Sequence, residues 1–246
     1  MTETQTDALL SGIWDEAITE ITLSQTLFSY LFNELFESAF GSYEAAAKKL
    51  SKAQIGYTKQ VYRESLGRFS AAKSYQQIKE MSAFVFTDDG SKRPLKEFKE
   101  KAGEIFDTYN KTYLKVERDS AFRVGNARAY WGEIENTKDV FPYLKYVTVG
   151  DARVRKDHAE LDGIVRKVDD AFWNRYFPPN DWNCRCRVIQ LDQGKETRLG
   201  RLPEISPDFQ FNPGKVDYVF SDKHPYFDKV PKMLLDDNFG LEIPKV

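Results

Sequence analysis

Cysteine and histidine are scarce in this 246-residue chain, which holds two of each. That excludes a disulfide-stapled scaffold and a multi-zinc array, and leaves room for one small Cys/His site. No run of about 18 apolar residues is free of charge, so no membrane span is expected. Residues 1–12 lack a basic start and a leader-like apolar run, so the expected site of synthesis is the cytoplasm, with reduced thiols. A net charge of −2 speaks against a uniformly basic nucleic-acid binder. The GxxxxGK[ST], GxGxxG, HExxH and GxSxG patterns are absent, and with two histidines a Ser-His-Asp or Cys-His pair has only His158 or His224 to draw on.

What is present is core material and charge asymmetry. Hydrophobic residues make up 41% and aromatics 14%, enough for one or two domains. Residues 1–47 carry eight acidic and no basic side chains, whereas 48–79 carry eight basic ones opposed only by Glu64. The acidic segment is also apolar, with stripes at helical spacing over Leu9–Ile21 and Leu27–Phe36. Such stripes are usually core; alternatively Trp14, Leu27, Phe28, Leu31, Phe32, Leu35 and Phe36 dock on a partner subunit. Gly41 reads as a helix stop and Ser42 as the N-cap of a second helix over about 43–69. The basic run reads first as a solvated face. Its sharper reading is an electrostatic, sequence-independent contact with DNA phosphates or an acidic partner through Lys48, Lys49, Lys52, Lys59, Arg63, Arg68 and Lys73.

Asp88-Asp89-Gly90-Ser91 signals a turn, after which Leu95–Thr137 reads as one long helix. Small residues at Ala121, Gly125 and Ala129 would let another backbone approach. Strands are expected over Tyr143–Val149, Ile164–Val168 and Arg185–Leu191, with a short helix over Val154–Leu161. Beyond Asp192, six prolines predict an extended arm. The expected class is therefore α+β: a predominantly helical N-terminal part with one long helix, a small mixed β-containing domain and an extended Pro-rich tail. The expected divisions are 1–90, 91–191 and 192–246.

Chemistry concentrates between Tyr146 and Leu191. On a strand Cys184 and Cys186 would face one way, flanking Arg185, and would not pair in a relaxed disulfide. With His158 and His224 they complete a tetrahedral zinc set, which would pin the tail to the domain. The plainer reading makes both cysteines small buried hydrophobes and gives His158 a carboxylate partner, Asp151 or Asp162.

The order of Thr148-Val-Gly-Asp151, Arg153-Val-Arg155, His158, Leu161-Asp-Gly163, Asp169-Asp170, Pro178-Pro179 and Asn183-Cys-Arg-Cys186 resembles the phage Mu F-like minor head protein family, also called the head morphogenesis family. Phe69–Ile78 and Tyr113–Glu117 resemble it too. Many members carry CPxC where this chain has Arg155-Lys-Asp-His158, and a His where it has Trp182, so a family zinc site does not carry over whole. The resemblance implies a structural protein of a tailed phage or prophage, in the virion near the portal vertex. Its implied partners are portal, capsid or scaffold proteins, with non-specific contact to double-stranded DNA. The competing readings are a metal-dependent, toxin-like hydrolase using His158 and Asp162, or a plain DNA-binding module.

Overall fold

The computed structural model describes all 246 residues. They fold as two compact units: Met1–Phe36, Arg63–Arg118 and His224–Val246 form one, and Glu37–Tyr62 and Asp119–Lys223 the other. The class is α+β, helical in the N-terminal part, with one small sheet.

The first unit is helical. Helix α1 (Glu3–Trp14) opens with a reciprocal box in which Thr2 Oγ1 accepts from Gln5 N–H and the Gln5 side chain accepts from Thr2 N–H. Helix α2 (Gln25–Ala46) contributes its first half. There Leu27, Phe28, Leu31, Phe32 and Leu35 are fully buried, and the rings of Phe28, Phe32 and Phe36 stack in sequence. The apolar stripe is therefore core, and its expected role as a docking surface is corrected: these side chains have no free face to offer. Trp14 is half-buried, its indole N–H donating to the Arg93 carbonyl at 2.6 Å with Lys92 over its ring. The helix α4 (Leu95–Asp107) buries Phe98, Ala102 and Phe106, spaced one turn apart. A six-residue π-helical stretch, Thr108–Tyr113, joins it to α5 (Leu114–Thr137), so the expected long helix runs on with one wider turn inside it.

The boundary between α2 and α3 (Lys52–Ser82) falls later than the sequence suggested. Gly41 sits inside α2 without a positive φ, so nothing breaks the helix there. The working signal is Ser51-x-x-Gln54: Ser51 Oγ accepts from Gln54 N–H, and Gln54 Oε1 accepts from Ser51 N–H.

In the second unit the sheet order is β2-β1-β3, all antiparallel, with β1 (Tyr143–Val147) between β2 (Val165–Lys167) and β3 (Arg187–Leu191). Leu144, Tyr146 and Val188 point into a core shared with Trp131, Trp173 and Phe177. The small-residue step in α5 behaves as expected: a Cβ on Gly125 would stand 2.0 Å from the Ala39 carbonyl oxygen. Ser42, expected as an N-cap, donates instead to the carbonyls of Ala39 and Phe122 across this close contact.

The C-terminal residues carry little regular structure, but their apolar side chains are tied in. Ile205, Phe209, Phe211, Val219 and Phe220 are buried in the second unit, and Tyr226 and Leu235 in the first. No helix of the chain is long and apolar enough to cross a membrane.

Candidate metal centre

His158 lies on α6 (Lys156–Leu161), a single turn and a half whose start is tethered to the loop that carries the cysteines. Arg155, at its N-cap, pairs with Asp181 at 3.2 Å and donates to the Trp182 carbonyl at 2.9 Å. Its far end turns at Gly163 (φ 78), where Asp162 accepts from the N–H and hydroxyl of Thr148. The Gly163 N–H in turn donates to the Tyr146 carbonyl of β1. The site thus hangs from a strand, a turn and one cross-loop ion pair.

Cys184 and Cys186 lie in the approach to β3 rather than on the strand itself, because Asn183 turns the chain through φ 57 and pairing begins only at Arg187. The alternation expected of a strand survives. Arg185 reaches outward to Asp151 through two hydrogen bonds of 2.7 and 2.8 Å, while the flanking thiols meet His158. One ligand atom from each of His158, Cys184 and Cys186 lies within 4.8 Å of the others, and His158 Nδ1 is 3.7 Å from Cys186 Sγ. Both cysteines are free thiols. Beneath them Tyr146 donates to Asn180 at 2.8 Å, a buried pair that sequence reasoning missed because neither residue is a metal ligand by type.

The two thiols and the imidazole shift one another's titration. A hydrogen bond from Cys186, and after it one from His158, hold Cys184 below the ordinary thiol range against its burial. Cys186 is pushed upward by donating to that neighbour and by burial. For His158, burial works downward, but the Cys184 hydrogen bond and charge raise it above its ordinary value. Two thiol sulfurs and an imidazole nitrogen converging on one point are donors of the type zinc takes.

The other ring nitrogen of His158, Nε2, is buried without a hydrogen-bond partner, 4.0 Å from Asp157. One further observation fits a metal. A cavity of about 20 Å³ opens beside the cluster, lined by His158, Cys184, Cys186 and Asn183. That is room for about one water-sized ligand. Three protein donors and one open position therefore suit zinc, whose structural sites are closed by four ligands and whose open sites keep three.

His224 is not brought to this cluster. It belongs to the other unit, where its Nδ1 accepts from Tyr226 N–H at 3.1 Å and its ring lies against Phe69 and Tyr226. The carboxylates proposed as partners for His158 are also engaged elsewhere, Asp151 by Arg185 and Asp162 by Thr148.

The basic face is likewise divided. Lys48, Lys49 and Lys52 are exposed; Lys59 is half-buried over the Phe40 ring; Arg63 donates to the carbonyls of Ile243 and Pro244; and Arg68 pairs with Asp236. Lys73 is corrected: it is wholly buried, with its ammonium bonded to Glu117 and to the Tyr109 carbonyl, and meets no solvent.

Residues 89–189 match the family of phage Mu protein F-like proteins, which bears out, over that segment, the resemblance read from Thr148 to Cys186. Two relatives make it specific. The chain is 40% identical over 106 residues to a protein named for capsid assembly, protein F of Escherichia phage Mu. The match covers 43% of this chain and 23% of that protein. It is 40% identical over 83 residues to the Mu-like prophage FluMu F protein of Haemophilus influenzae, covering 34% of this chain and 19% of the relative. The matched stretch thus spans no more than about a quarter of either relative's length. No solved structure matches the chain.

Proposed function

We propose that this chain is a structural head-assembly protein of a Mu-like phage or prophage, a component of the virion that acts without catalysis. The single observation that carries this reading is the 40% identity over 106 residues to a capsid assembly protein. The finer assignment is to the portal vertex, among portal, capsid or scaffold proteins, with the exposed Lys48, Lys49 and Lys52 facing DNA phosphates without sequence preference. In this reading zinc at His158, Cys184 and Cys186 takes its fourth ligand from a partner protein or from water, and fastens α6 to the loop before β3 so that the small domain keeps its shape under assembly.

The hydrolase reading finds less support. Asp162, its suggested partner for His158, accepts two bonds from Thr148 through Oδ1, which is a turn-stabilising role.

Gradient-purified heads of the phage that encodes the chain test the assignment. An immunoblot should find the chain co-sedimenting with full-length heads, and deletion of its gene should leave no DNA-filled particles. A chain confined to the soluble fraction, with heads filling normally without it, contradicts the reading.

A further inference from the structure

A groove of about 260 Å³ runs between α5 and the approach to β3, and no Asp or Glu lines it. Phe122, Ala127, Tyr130, Phe177, Pro179 and Val188 make its walls apolar, Arg123, Arg185 and Arg187 are its only basic side chains, and Cys184 and Cys186 line it as well. In a chain with 38 acidic against 36 basic residues, a lining of this kind is a local excess of positive charge.

The arginines around it are not equivalent. Arg128, Arg153, Arg155, Arg166, Arg175 and Arg185 of the same unit each pair with a carboxylate. Arg123 and Arg187 have no carboxylate in range. The Nε of Arg123 is buried without an acceptor, which costs free energy until one is supplied. Phe122, on the rim, is 53% exposed. Two unpaired guanidinium groups beside an apolar recess thus form a surface that lacks its complement.

We infer that this groove docks an extended acidic segment of another protein, one apolar side chain of which enters the recess while its flanking carboxylates pair with Arg123 and Arg187. The recess is smaller than the usual small-molecule pocket and matches one large anchoring side chain. A nucleic-acid backbone would satisfy the arginines but leave Phe122 and Tyr130 facing water, which favours the peptide. The inference rests on the groove alone and stands apart from the head-assembly reading.

The test is fluorescence anisotropy with the full chain and a labelled nonapeptide carrying a central Leu-Phe pair flanked by Asp and Glu. Saturable binding is expected, weakened about tenfold or more by R123Q/R187Q and several-fold by F122A, and absent for the same peptide with Lys in place of its acids. Arg187 is exposed, so R187Q alone, checked by an unchanged melting curve, serves if the double variant folds poorly. No binding of the acidic peptide, or equal binding by wild type and R187Q, overturns the proposal. So does an outcome in which a 20-base-pair duplex, and not the peptide, loses affinity in the arginine variants.

Discussion

Lys73 and Glu117 form an ion pair inside the helical unit, their side chains 0% and 4% exposed. The Tyr226 hydroxyl donates to the second Glu117 oxygen at 2.8 Å, and the Tyr109 carbonyl accepts a second bond from Lys73. Burial draws the lysine pKa down and the carboxyl pKa up, and each partner's charge opposes that drift in the other. The pair is worth keeping only as a pair. Lys73→Met should cost about 3–5 kcal/mol, because it strands a buried carboxylate, whereas K73M/E117M should recover most of that loss. Urea unfolding of the three chains checks this. A double variant as unstable as the single one contradicts it.

A second prediction concerns acid. Burial, with the Lys73 charge beside it, holds His224 down to about 4, below the ordinary 6.5. The unfolded chain therefore binds a proton at a pH where the folded chain does not. Stability from this group is complete above about pH 6.5 and falls as pH drops toward 4, by at most about 3 kcal/mol. His224→Asn keeps an acceptor for Tyr226 N–H and removes the titration. Denaturant midpoints of wild type and variant should converge on acidification from pH 7 to pH 4.5. Parallel curves would contradict the assignment.

Two glycines inside helices should respond with opposite signs to the same change. Gly41 has no atom within 4 Å of an added Cβ, so Gly41→Ala should stabilise by about 0.5–1 kcal/mol through helix propensity. At Gly125 the Cβ would meet the Ala39 carbonyl at 2.0 Å, and Gly125→Ala should destabilise by about 1–3 kcal/mol or more. Thermal melts of the two variants decide it; shifts of the same sign would refute the close-contact account.

These cases show what could be read in the sequence. The three strands were legible because Tyr143–Val147 and its neighbours alternate, and the long helix because its apolar face repeats over many turns. Gly41 misled because glycine breaks a helix only where the backbone takes a positive φ, and here it does not; the Ser51–Gln54 box was the truer signal. Lys73 looked like its solvated neighbours because the partner that buries it is 44 residues away. The Leu27–Phe36 stripe reads first as core, as it is, and alternatively as a docking surface, as it is not, since a periodic pattern names the apolar face but not what lies on it. At the candidate site, spacing and residue type brought out His158, Cys184 and Cys186. His224 had the right chemistry, but its neighbours, Phe69 and Tyr226, are a matter of tertiary path.

The most direct test of the account is the metal content of the chain purified without a histidine tag. Wild type should carry about one zinc per chain by inductively coupled plasma mass spectrometry. His158→Ala and C184S/C186S should lose it, and chelation should lower the melting temperature of wild type but not of these variants. His224→Asn should keep its zinc, because His224 is engaged by Tyr226. A zinc-free wild-type chain that melts identically with and without chelator would contradict the metal centre.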